Sequence, residues 1–196
     1  KTIGAALSHI EDEDLEDQNV YIEDGTYTES IELINDTNLF GESKDGTIID
    51  AEGHKYGIYF RSTKSEVRNL TIKNATTNIR VNKRSRASIY DCTIKNADKN
   101  GVEVDRSSNT KKYKFRLRDC KVKGSGKRGL YIFKRRIEIT ESEITDNEEE
   151  GIDLHTSMRG SIRDNTVKRN GETGIELKLG RTKLKIRGNK ISSNDT

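Results

Sequence analysis

The sequence has no proline and no tryptophan, two cysteines, one methionine and only 6% aromatic residues in 196 positions. Ordinary usage of about 5% would put some ten prolines in such a chain. Their absence marks an idealised, engineered or compositionally unusual sequence. Long apolar runs are missing too. No stretch approaches the ~18 consecutive apolar residues of a membrane span, and no signal peptide is recognisable. The chain opens on Lys1 rather than Met, so compartment is not read from its start. The two cysteines have neither metal-ligand spacing nor the spacing of a redox pair. Hydrophobic residues make up 30% of the chain and mean hydropathy is −0.90. Such values describe disorder where apolar residues are scattered. Here they recur at fixed positions.

Gly57-Ile58-Tyr59-Phe60, Gly101-Val102-Glu103-Val104, Gly129-Leu130-Tyr131-Ile132, Gly151-Ile152-Asp153-Leu154 and Gly174-Ile175-Glu176-Leu177 are one motif. Asn78-Ile79-Arg80-Val81 is a copy without glycine, and glycine copies from 101 onward lie 22 to 28 residues apart. A second motif runs in phase, with apolar ends at Val67/Ile72, Ile89/Ile94, Leu117/Val122, Ile139/Ile144, Ile162/Val167 and Ile186/Ile191. Periods of this length mean stacked units that bury their apolar side chains against one another. The leucine-rich signature is missing, and nothing after residue 20 has the 3.6-residue periodicity that helical repeats need. Three short strands and three turns per repeat make one coil of a parallel β-helix. The expected fold is therefore all-β: one domain over 1–196, with an N-terminal cap at 1–18 and about seven coils over 19–196.

Within the second motif, Leu70, Cys92, Cys120, Ser142, Asn165 and Asn189 sit at a corner. Asparagine suits a bend because its amide satisfies turn backbone and it tolerates left-handed dihedrals. Asn74, Asn96, Asn147, Asn170 and Asn194 suggest a second corner. Cys92 and Cys120 should stack inside the coil as reduced thiols, about 4.8 Å apart. Ile3, Ala6, Leu7 and Ile10 have helical spacing, so a short amphipathic helix should cover the first coil, whose strand edges would otherwise be open. No comparable cap follows the last corner. Either the tail folds over that end or the coil continues, and end-to-end association of an otherwise monomeric chain stays open.

The net charge of +3 conceals a split. Residues 1–50 hold 14 acidic side chains against Lys1 and Lys44, a balance of −12, which leaves +15 for the rest. A basic ridge contains Lys83, Arg84 and Arg86, then Arg106, Lys111, Lys112, Lys114, Arg116 and Arg118, then Lys134, Arg135 and Arg136. An anionic polysaccharide fits it better than nucleic acid, for which no base-stacking motif is present.

Alternation along the Gly strand sends two columns outward: Tyr59, Arg80, Glu103, Tyr131, Asp153, Glu176, and Arg61, Asn82, Asp105, Phe133, His155, Lys178. Asp153, Glu176 and His155 are the candidate catalytic groups. Tyr59, Arg80, Glu103, Asp105, Tyr131, Phe133 and Lys178 are the candidate substrate contacts. Asp153 and Glu176 fall on adjacent coils, about 4.8 Å apart at the backbone. Carboxyls about 5–5.5 Å apart suit retaining glycoside hydrolysis, and about 6.5–9.5 Å suits inversion. Glu103 or Asp105 lies two coils from Asp153, roughly 10 Å.

These repeats, with the opening Thr2-Ile3-Gly4-Ala5-Ala6-Leu7 and Val20-Tyr21-Ile22-Glu23-Asp24-Gly25-Thr26-Tyr27, resemble the pectate-lyase-like superfamily of right-handed parallel β-helices. The likeness is greatest to repeats of carbohydrate-binding proteins and sugar hydrolases, and to β-helix proteins associated with nitrous oxide reductase maturation. Asp24 stands where the family commonly has proline before the glycine. Nearly the whole chain is covered, but the motifs specify coil geometry. The paired-Asp signature of polygalacturonases is missing, and Asp153-Leu154-His155 matches the Asp-Pro-His segment of alginate epimerases only superficially. The resemblance implies a right-handed coil, a groove on the Gly-strand sheet, an acidic (uronate-containing) polysaccharide partner and an extracellular or cell-surface location. It carries over no catalytic residue. Three classes stay open: a polysaccharide-binding module, a polysaccharide lyase or glycoside hydrolase, and a repeat scaffold without catalysis. No cofactor is expected, except that a lyase would use Ca²⁺, with Lys178 or Arg80 as base.

Overall fold

A computed structural model describes residues 2–107, 109–180 and 182–195. The chain winds as a β-solenoid of three parallel sheets, each formed from every third strand. Sheet A has eight strands, from Asn19–Ile22 to Lys183–Arg187, and sheet B has eight, from Gly25–Tyr27 to Lys190–Ser192. Sheet C has seven, from Ile31–Leu33 to Ile175–Leu179, and contains the Gly strands. No helix among the described residues is long and apolar enough to cross a membrane.

Helix α1, Ile3–Asp12, closes the first coil with Ile3, Leu7 and Ile10 buried. The Glu29 carboxylate accepts from the amides of Ile3 and Gly4, both at 2.8 Å, so an anion sits on the positive end of the helix. From there one apolar cluster runs along the axis to Val167. In the last coil the corresponding positions, Leu177, Ile186 and Ile191, are 46%, 40% and 49% exposed.

The residues assigned to the first corner, and three of the five asparagines assigned to the second, lie one residue away from the bend itself. Left-handed backbone falls on Asn69, Asp91, Asp119, Glu141, Asp164 and Gly188 (φ 47° to 67°), just before the column assigned to the bend. That next column turns inward, where Leu70 joins the apolar core and the polar side chains and thiols that follow donate back to a carbonyl. Cys92 Sγ lies 3.1 Å from the Tyr90 carbonyl and Cys120 Sγ 3.2 Å from that of Arg118. Ser142 Oγ donates to Thr140 at 2.9 Å and Asn165 Nδ2 to Ile139 at 3.0 Å. Both thiols are free and buried, as expected. The second set of asparagines merged two columns. Asn74 and Asn96 share left-handed backbone with Gly124, Asp146, Arg169 and Ser193. Asn147, Asn170 and Asn194 form a separate ladder, joined by amide bonds of 2.8 Å each.

The glycine of the Gly strand has a steric cause. A Cβ on Gly151 would lie 2.7 Å from both the Gly174 carbonyl and Val167 Cγ1. Asn78 occupies this column without glycine and is fully buried; its amide ties Ala75 N to the Lys95 carbonyl.

Arg135 corrects the basic ridge. It is fully buried, and its guanidinium donates to the carbonyls of Ser85, Asn82 and Asp105 at 2.9 to 3.1 Å. Burial lowers its pKa to about 10. This cation stitches together the turns between sheets C and A and is lost to any surface.

The asparagine ladder gives a direct stability test. Asn170→Ala removes the acceptor for both Asn147 N and Asn147 Nδ2, inside a site 2% exposed. The expected loss is about 3 kcal/mol, because buried donors left without partners cost ~1–3 kcal/mol each. Asn194→Ala, at the half-exposed end of the ladder, should cost about 1 kcal/mol. Chemical denaturation of both variants measures the difference.

Candidate functional site

The register of sheet C places Tyr131, Asp153 and Glu176 in one column and Phe133, His155 and Lys178 in the next. The first three therefore project from the same side of three adjacent coils. Asp153 projects outward as its strand parity requires, yet it is 0% exposed, which corrects the expectation of an open carboxylate. Neighbouring side chains roof it over. Arg128 Nε lies 2.9 Å from Asp153 Oδ2, and His155 Nε2 lies 2.9 Å from both carboxylate oxygens. Lys178 Nζ lies 4.0 Å from Asp153 Oδ2 and 2.6 Å from Glu176 Oε2. Asp153 Oδ1 is buried without a hydrogen bond of good geometry.

Glu150 completes the cluster. One oxygen from each of Glu150, Asp153 and Glu176 lies within 4.8 Å of the others. Arg128 Nε is 3.0 Å from Glu150, and its Nη1 is 2.9 Å from Glu149. Burial, then a hydrogen bond shared with Glu176, raises the Glu150 pKa. Lys178 first, and Glu150 second, lower that of Glu176. The two carboxyls are thus pushed in opposite directions, Glu150 toward the neutral form and Glu176 toward the charged one. Rings form the rim: Tyr131 lies 4.6 Å from Phe133 and 5.2 Å from His155 between centroids, and Phe133 lies 5.0 Å from His155. The Arg128 guanidinium sits 4.7 Å above the Tyr131 ring. Tyr131 and Phe133 are half-buried against these partners rather than fully exposed.

The remaining candidates gather elsewhere on the sheet. Arg80 pairs with Glu103 and Asp105, and those carboxylates hold its pKa above the ordinary value. Glu103 borders the main cluster, being in register with Tyr131. Tyr59 accepts from Asn82 Nδ2 at 2.9 Å and packs 5.3 Å from Tyr56.

Residues 56–196 match the family described as "Right handed beta helix region". The chain belongs to that family. Its right-handed coil is shared with a pectin methylesterase from Yersinia enterocolitica, at 11% identity and a TM-score of 0.57 over 98% of this chain and 94% of that one. A pectin methylesterase solved with a hexasaccharide aligns at 16% identity and a TM-score of 0.50. That match covers 95% of this chain, which spans 62% of the other. Identities this low establish the common fold. Comparison with curated proteins finds no match.

Within this right-handed coil, the groups that sequence reasoning missed, Arg128 and Glu150, occupy the position just before the motif glycine. Side chains there arch back over the strand: Asn100, at the equivalent place, donates to Glu103 Oε2 at 3.2 Å. The signal was a charged residue immediately before Gly129 and Gly151, in neighbouring copies of the motif.

Two expectations attached to a lyase do not fit this geometry. Lys178 and Arg80 are both held protonated by carboxylates, so neither is poised as a base. Ca²⁺ binds six to eight oxygens at about 2.3–2.6 Å. Here the Glu150, Asp153 and Glu176 carboxylates are already paired with Arg128 and Lys178, so no step is routed through a metal.

The raised Glu150 pKa fixes a pH dependence. Protonated Glu150 contributes stability below its ordinary value of 4.5, and that contribution is lost as pH rises through its higher folded value. Glu150→Gln behaves as a permanently protonated side chain. Its melting temperature relative to the unsubstituted chain should therefore rise between about pH 4 and pH 7. A constant difference across that range contradicts the raised pKa of Glu150.

Proposed function

We propose that the chain is an acidic-polysaccharide-binding β-helix whose sheet C cluster supplies acid–base chemistry on a uronate-containing glycan. The observation that carries this reading is the buried Asp153 carboxylate, beside the Glu150 and Glu176 carboxylates and beneath the Tyr131, Phe133 and His155 rings. Each part has a role. The ring edge offers stacking surface to sugars, and Lys178, 46% exposed at its side chain, offers a cation to a uronate carboxylate. A ligand carboxylate that draws Lys178 from Glu176 uncovers Asp153. Arg128 keeps Asp153 ionised and oriented, and Glu150 holds a proton for a leaving oxygen. The fold shared with pectin methylesterases, one of them solved with a hexasaccharide, supports a polysaccharide as ligand. Such a polymer places the protein outside the cell or on its surface.

A scaffold reading has one observation in its favour: Asp153 is wholly enclosed by ion pairs, as an inert structural network would be. Binding separates the two. Uronate oligosaccharides should bind the unsubstituted chain, and the combined Tyr131→Ala and Phe133→Ala variant should bind at least about tenfold more weakly, equal to ~1.4 kcal/mol. Asp153→Asn should bind while forming no product, as read by chromatography of the oligosaccharide. No binding by the unsubstituted chain to any acidic or neutral glycan, with or without Ca²⁺, leaves the scaffold.

A further inference from the structure

Sheet A carries a second surface, on a different side of the coil from the carboxylate cluster. Its strands from Lys64–Arg68 to Lys183–Arg187 each place three residues outward, on six successive coils. Twelve of these eighteen positions are Lys or Arg, and two, Glu66 and Glu138, are acidic. The surplus is ten positive charges on one face of a chain whose total is +3. The first outward column is wholly basic: Lys64, Arg86, Lys114, Arg136, Arg159 and Lys183 stack in register.

Like charges opposite one another on neighbouring strands repel and destabilise a sheet. Few counter-charges relieve this column. Among the described residues, Lys114 pairs with Glu138, and the other five have no ion pair. At the far edge of the sheet the balance differs. Arg118 and Arg163 pair with Asp119 and Asp164 at the corner, and Arg68 and Arg118 sandwich the Tyr90 ring at 5.5 and 5.2 Å. Uncompensated positive potential therefore concentrates along the Lys64–Lys183 column. Beside its N-terminal end is a cleft of about 300 Å³ whose lining includes Lys64, Arg84, Arg86, Lys112 and Tyr113, with Asp36 as its one acidic group.

We propose that this face of sheet A is a second polymer-binding surface, which holds a linear polyuronate along the coil axis and anchors the protein to acidic polysaccharide independently of the sheet C cluster. The cations repeat at the strand spacing of about 4.8 Å, close to the length of one pyranose unit, so successive uronate carboxylates meet successive coils. Duplex nucleic acid fits less well, because its charges fall every ~1.7 Å along the axis of a curved cylinder. The outward ring on these six strands, Tyr90, is held between Arg68 and Arg118 rather than free to enter a lipid surface. The choice of a uronate polymer rests on the reading of sheet C; the polyanion surface itself does not.

The test combines Lys64→Gln, Arg86→Gln, Arg136→Gln and Arg159→Gln, all outside the carboxylate cluster, and measures affinity for polygalacturonate and alginate by gel electrophoresis. The unsubstituted chain should bind at low salt and release as NaCl rises, since screening shortens to about 10 Å at 0.1 M. The fourfold variant should lose at least tenfold in affinity for the polymers, while its binding of short uronate oligosaccharides through the sheet C cluster is unchanged. Equal binding by the fourfold variant overturns the proposal, as does tighter binding of the unsubstituted chain to duplex DNA or phosphatidylserine vesicles at the same ionic strength. Lysine acetylation of the unsubstituted chain gives a readout free of any folding defect. Polyuronate should slow modification of Lys64 and Lys183 at least threefold. Protection of Lys178 alone would support the sheet C site and eliminate this one.

Discussion

Parallel strands held one above another, in register, at a spacing of about 4.8 Å govern this molecule. Each side chain has the equivalent residue of the next coil as its nearest neighbour, so chemistry repeats along columns. Apolar columns give a core only a few side chains wide, which is why a chain of 30% hydrophobic residues can fold at all. Polar columns must satisfy one another from coil to coil. The Asn147–Asn170–Asn194 ladder does so with amides, and the inward corner column does so by returning each donor to a nearby carbonyl.

Charged columns are the hard case, because stacking brings like charges to strand spacing. Sheet C resolves its carboxylates by importing Arg128 from the preceding turn, setting Lys178 beside Glu176 and raising the pKa of the buried Glu150. Those compensations enclose Asp153. Sheet A leaves its basic column largely uncompensated, so positive potential stays exposed there and is neutralised on sheet C.

The sequence made the coil legible because one period governs both motifs, and parity along Gly151–Leu154 put Asp153 in the correct column. Parity says which way a side chain leaves the sheet and nothing of what covers it, so the enclosure of Asp153 by Arg128 and His155 was not legible. Glu150 and Arg128 were missed for a related reason: they lie in turns, where alternation stops. Arg135 reads as one more cation in a basic stretch until the turns at Asn82, Ser85 and Asp105 are seen to present carbonyls to it. The left-handed bends fell on Asp91, Asp119 and Asp164 rather than on their successors because Asp accepts that backbone as Asn does, and composition alone does not separate adjacent positions.

The central claim is that the sheet C cluster receives a uronate. A crystal structure of the Asp153→Asn chain soaked with uronate trisaccharides addresses it most directly. The account predicts sugar density against Tyr131 and Phe133, with a uronate carboxylate on Lys178 and the Lys178–Glu176 contact broken. A trisaccharide bound elsewhere, with residue 153 still enclosed by Arg128, His155 and Lys178, would contradict it.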